Sequence, residues 1–113
     1  MPKASSVGIL TRLAGVLLTM SITHASSAPL DQTRKDELQN LLLQDCGSCH
    51  GMTLKGGLGP ALTIDAIQGK ADIYLQQTIL EGHPGTPMPP WKDILSNEDI
   101  DHLISLLKAG VAQ

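Results

Sequence analysis

Only two cysteines occur in the chain, Cys46 and Cys49, separated by two residues and followed directly by His50. Few folds tolerate that arrangement, because each chemistry open to a Cys-x-x-Cys pair demands its own surroundings. A plain disulfide is one option, since an exported chain meets an oxidising space. A thioredoxin-like redox pair needs a strand before the motif and a helix after it. Here a helical pattern precedes the motif and a glycine-rich stretch follows it. Structural zinc wants a second ligand pair at similar spacing, and the sequence holds no further cysteine.

Cys46-Gly47-Ser48-Cys49-His50 has the spacing of a c-type haem attachment site. Two thiols add to the two vinyl groups of a haem, the intervening residues span the distance between the vinyls, and the next histidine lies under the iron. His50 is therefore the expected proximal ligand. A second axial ligand must come from elsewhere. Met52 is too close to His50 in sequence to reach the other haem face. Met88 stands in Gly85-Thr86-Pro87-Met88-Pro89-Pro90-Trp91, where prolines fix the backbone and prevent helix formation. A stiff loop presenting one thioether suits an electron carrier, and His/Met ligation raises the reduction potential. His83, between Gly82 and Pro84, is the competing ligand. Metal-bound histidine commonly donates its other ring N–H to a carbonyl, and the Gly59-Pro60 turn offers one, although it can also be read as a simple turn. Trp91 fits either the haem edge or plain core packing. Tyr74 is expected in the pocket wall.

The N-terminal stretch reads as a targeting segment. Lys3 and Arg12 precede an apolar run from Leu13 to Ile22, and small residues follow at Ala25, Ser26, Ser27 and Ala28, the order of a secretory signal peptide. A spanning helix needs about 20 apolar residues, so the run is short for an anchor, the alternative reading. Residues 1–25 are the expected signal, cleaved near residues 25–28, with 26–30 a short linker and 31–113 a single domain. Removing Lys3 and Arg12 leaves six bases against 11 acids, a formal net charge of −5. Such a chain has no clustered cations for a phosphate backbone, which excludes nucleic-acid binding. The chain has no Phe, and its aromatics are Tyr74 and Trp91. A domain this small with so few large apolar groups needs a cofactor or cross-link to complete its core.

Apolar periodicity predicts helices over 31–45, 71–81 and from about 97 to 108, with a short turn near 65–68. Leu38, Leu41 and Leu42 share one face of the first. Asp31 or Thr33 can cap it, with Asp36 and Glu37 in its first turn. Ile73, Leu75, Ile79 and Leu80 are the buried candidates of the second, which Gly82 ends. Ser96-Asn97-Glu98-Asp99 resembles a capping box with Asp for Glu. Ile100, Leu103, Ile104 and Leu107 form the last helix's apolar face, His102 lies on its exposed side, and Gly110 closes it. The Gly51–Pro60 stretch invites a phosphate-loop reading but lacks the Gly-Lys-Ser/Thr ending. No strand-like alternation is present, so the fold class is all-α.

The attachment motif after an N-terminal helix, the Gly59-Pro60 turn, the helix ending at Gly82 and Met88 among prolines together resemble class I cytochromes c over residues 31–110. The segment Asp45 to Pro60 and the run Thr86 to Trp91 are similar, more narrowly, to the small NirC-type cytochromes c, the cytochrome c55X group of denitrification gene clusters. The resemblance implies three main helices and loops around one covalently bound haem c, with the first and last helices crossing. It implies thioethers at Cys46 and Cys49, iron ligands His50 and Met88, and Pro60 orienting His50. It further implies a periplasmic, non-enzymatic electron carrier, a monomer without stable membrane insertion after cleavage. Its partners would be an upstream donor and a nitrite reductase of the cytochrome cd type. An accessory role in maturing the reductase's d-type haem, or a general periplasmic shuttle, are the alternatives. An aromatic often placed at such a helix crossing is absent here; Leu41, Leu42, Leu103, Ile104 and Leu107 are what the chain offers.

Overall fold

The computed structural model describes residues 28–110; the expected signal peptide and the first two residues of the linker, 26 and 27, lie outside them. Among the described residues the structure is helical, without strands. Helix α1 spans Gln32–Leu41 and starts where Asp31 accepts the Arg34 N–H on its side chain at 2.7 Å, satisfying one of the donors a helix start leaves free. Asp36 and Glu37 fall in its second turn rather than the first. There they accept from Gln32 at 2.8 Å and from Arg34 at 3.0 Å.

The predicted end at residue 45 is too early. The chain continues through a π-helical segment, Leu42–Cys46, into helix α2, Gly47–His50. The Gly47 N–H reaches back to the Leu42 carbonyl, and such wide turns recur at functional sites. The helix stops only at Gly51, whose φ of +91° no side chain adopts easily. Helix α3 is the short Ile64–Ile67. Helix α4, Asp72–Glu81, ends at Gly82, and helix α5 spans Asn97–Ala109.

Helix α5 begins with the anticipated capping box: Asp99 N–H donates to the Ser96 hydroxyl at 3.1 Å, and Ser96 N–H donates to the Asp99 carboxylate at 3.0 Å. Gly110 closes it in the left-handed conformation. Lys108 pairs with Asp72 and donates to the Lys70 carbonyl, fastening the end of α5 to the start of α4.

Leu38 and Leu42 on the first helical run meet Ile100, Leu103, Ile104 and Leu107 on α5, all buried. Leu41 is half-buried beside them. Ile67, Leu75, Leu95 and Leu54 complete the core. No aromatic marks the crossing of α1 and α5. Instead Arg34 donates from two guanidinium nitrogens to both oxygens of Asp99, at 3.0 and 2.9 Å. That paired geometry gives direction as well as energy. Arg34 holds the Asp99 carboxyl at about 2, below the usual carboxylate range, although Asp99 is only 4% exposed.

Two expectations of burial fail. Ile73 is 59% exposed, because α4 turns Leu75, Ile79 and Leu80 toward the core and leaves Ile73 outside. His102 is half-buried rather than exposed.

Candidate haem site

The first helical run delivers Cys46, Cys49 and His50 to one end of a cleft of about 610 Å³. Residues three and four apart share a helix face, so the helical path through 46–50 turns all of them toward the same space. Both cysteines are free thiols in the structure. Burial, and after it the Asp45 carboxylate, push the Cys46 thiol up to about 11.

The glycine-rich segment after the motif folds back on the helix end. Gly56 N–H donates to the His50 carbonyl and Gly59 N–H to the Cys49 carbonyl, both at 2.8 Å, and Gly57 N–H donates to Gly59 at 3.0 Å. The loop thus satisfies carbonyls that a helix terminus leaves open. Its amides are spent inside the protein, which removes the phosphate-loop reading. Leu54 anchors the loop: it adopts φ +55°, yet its side chain is 1% exposed.

The turn that follows holds the histidine ring. His50 Nδ1 donates to the Pro60 carbonyl at 2.7 Å. A carbonyl only accepts, so Nδ1 carries the hydrogen and Nε2 is the lone-pair nitrogen, the form that binds a metal. A Cβ on Gly59 would lie 2.7 Å from His50 Cε1, so only glycine lets the turn close on the ring.

The far part of the cleft comes from α4 and the segment after it. Leu75 and Ile79 line it, as do His83, Met88 and Trp91. Met88 is half-buried, whereas His83 is exposed. Trp91 packs against the core while lining the cleft, and its backbone N–H donates to the Ile79 and Leu80 carbonyls at 3.1 and 3.2 Å. Tyr74 is 51% exposed at the rim, with the Lys70 ammonium 5.7 Å from its ring centre. Cys46, Cys49, His50, Pro60, Tyr74, Met88 and Trp91 are therefore brought to one cleft; Met52 is 60% exposed and does not line it.

The cleft suits a haem by its donors as well as its size. Two thiols one helical turn apart, an oriented imidazole nitrogen and a thioether face one mostly apolar space of the volume that encloses a cofactor. Comparison with known proteins decides the family. The family model described as "Cytochrome C oxidase, cbb3-type, subunit III" matches residues 33–107. Cytochrome c55X of Pseudomonas aeruginosa is 48% identical over 99 residues, covering 82% of this chain and 83% of the relative. The chain belongs to this family of c-type cytochromes, within the cytochrome c55X group.

A solved structure of the c-type cytochrome NirC agrees, at 52% identity and a TM-score of 0.71, covering 74% of this chain and 98% of that one. Dihydro-heme d1 dehydrogenase NirN is similar at 30% identity with a TM-score of 0.57, over 62% of this chain but 15% of that much longer one. The fold is thus that of class I cytochromes c, the family's cofactor is covalently bound haem c, and the protein is a c-type electron carrier. Among the described residues no helix is long and apolar enough to cross a membrane.

Sequence reasoning places Gly59 in the turn that offers His50 a carbonyl but misses that its missing Cβ is what lets the turn close on the ring. That signal is steric and exists only once the chain is folded.

Proposed function

We propose that the protein is a periplasmic carrier with one haem c, delivering single electrons to a dissimilatory nitrite reductase of the cytochrome cd type in denitrification. In this reading residues 1–25 are the export signal, Cys46 and Cys49 hold the haem as thioethers, and His50 and Met88 are the axial ligands. When bound, the haem supplies a one-electron iron couple. The chain's own residues do the rest. Pro60 keeps the His50 ring in one tautomer and orientation. The Met88 thioether favours the reduced state. Leu75, Ile79 and Trp91 exclude water, and a stiff ligand loop limits rearrangement between oxidation states.

The single observation that carries this reading is the oriented His50 ring, bonded to Pro60 at 2.7 Å, in the same cleft as both thiols and the Met88 segment. His50 and Met88, on two separate chain segments, would each hold the iron from one side of the haem. That favours electron transfer over substrate chemistry, which needs an open position and acid–base groups above it.

The likeness to a segment of dihydro-heme d1 dehydrogenase supports a second reading, an accessory redox role in maturing d-type haem. Both roles use the same redox core. Anaerobic mixing of the reduced protein with oxidised cytochrome cd nitrite reductase separates them. Fast, saturable oxidation of this haem, sustaining nitrite turnover, is the expected result. Absence of transfer at physiological ionic strength would refute the donor role for this reductase and leave maturation or another redox partner as the reading.

A further inference from the structure

We propose that Thr86 positions the Met88 thioether, with Gly82 as the surface on which the ligand segment rests. The inference rests on the reading of Met88 as an iron ligand. Residues 84, 87, 89 and 90 are prolines, so this segment has few amides with which to brace itself. Met88 contributes the one N–H between Pro87 and Trp91, and that N–H donates to Thr86 Oγ1 at 3.3 Å. The same hydroxyl donates to the His83 carbonyl at 2.6 Å. The Thr86 N–H also donates to His83, at 3.1 Å, and His83 N–H donates to the Met88 carbonyl at 3.2 Å. Four hydrogen bonds close residues 83–88 into a ring, and one hydroxyl serves two of them. Thr86 is exposed, so its contribution to the core is small and its effect is local.

Gly82 supplies the other half of the device. It is buried, with φ +70°. A Cβ there would lie 2.6 Å from the Met88 oxygen, 2.7 Å from the Pro89 carbonyl carbon and 2.8 Å from the Pro90 nitrogen. All three are backbone atoms, which cannot swing aside. The ligand segment thus lies directly against the end of α4, and any side chain at 82 lifts it. A ligand braced from both sides resists displacement, and loosening either brace opens the iron's sixth position more often.

The test uses the haem-loaded protein and its Met88→Ala, Thr86→Val, Thr86→Ser and Gly82→Ala variants. The readouts are imidazole affinity of the ferric form and the methionine-to-iron charge-transfer band. Thr86→Val is expected to bind imidazole roughly tenfold more tightly, a difference of about 1.4 kcal/mol, with a weakened band and unchanged far-UV circular dichroism. Thr86→Ser restores the wild-type values, and Gly82→Ala shifts both readouts in the direction of Thr86→Val. If Met88→Ala loses the band while Thr86→Val matches wild type, Met88 is the ligand and the positioning role is overturned. A Thr86→Ser variant that behaves like Thr86→Val also overturns it, because the methyl group and not the hydroxyl would then matter. A Met88→Ala variant indistinguishable from wild type overturns the ligand reading, and the positioning role with it.

Discussion

Replacing Asp99 by Asn tests what holds the first and last helices together. Asp99 is 4% exposed, accepts two hydrogen bonds from Arg34 and caps α5 through Ser96. Its carboxyl is held at about 2 against an ordinary 3.8. Because the folded value is depressed, the resulting stability is fully present above the unfolded value and is lost as pH falls toward the folded one. The difference corresponds to about 2 kcal/mol at neutral pH. Asparagine keeps the shape and most of the cap but removes the charge, leaving the half-exposed Arg34 guanidinium weakly paired. Urea melts of the haem-loaded protein at pH 7 are therefore expected to show Asp99→Asn less stable by about 2 kcal/mol, equivalent to a fall in Tm of roughly 8–16 °C for a domain this size. The gap should shrink by about half at pH 3 and nearly close by pH 2, where the wild-type carboxylate also protonates. A variant as stable as wild type at pH 7, or a gap that stays constant down to pH 2, would mean that the Arg34–Asp99 pair does not hold the two helices together.

A Gly59→Ala variant drives a Cβ to within 2.7 Å of the His50 ring. It should lose the bond to Pro60 at a cost of about 1–3 kcal/mol, whereas Gly69→Ala, with nothing within 4 Å, should change the same urea midpoint negligibly. Leu38 is 0% exposed at the helix crossing. Leu38→Ala should cost about 2–5 kcal/mol in thermal or urea melts, and a loss as small as that of an exposed substitution would contradict its place in the core.

The ends of the helices were legible in the sequence because caps are local. Asp31, the Ser96–Asp99 pair, Gly82 and Gly110 act on backbone groups a few residues away, so spacing alone reveals them. The apolar face of α5 was legible for the same reason: Ile100, Leu103, Ile104 and Leu107 repeat at helical intervals. What depends on a distant partner was hidden. Arg34 and Asp99 are far apart in sequence, and no local pattern joins them, so the crossing looked weak for want of an aromatic. The helical continuation from Cys46 to His50 was also hidden, because the apolar spacing ends before it and Gly47 and Ser48 carry little helical preference. Ile73 was misjudged because apolar character reports what a side chain prefers, while helix phase decides where it points. In the site, the residue types and their order pointed to the haem chemistry, since the motif, a Pro-flanked methionine and a turn carbonyl are each local. The steric demands at Gly59 and Gly82 were not legible, being contacts with residues from other segments.

We propose that this cleft holds one low-spin haem between His50 and Met88 and passes one electron at a time. Potentiometric titration of the purified holoprotein, followed by its absorption spectrum and repeated on Met88→Ala, tests it most directly. A single one-electron transition with six-coordinate iron in both oxidation states is expected, and in Met88→Ala a lower potential and loss of the methionine-to-iron band. High-spin ferric iron in the wild type, more than one transition, or a Met88→Ala titration that overlays the wild type would contradict it.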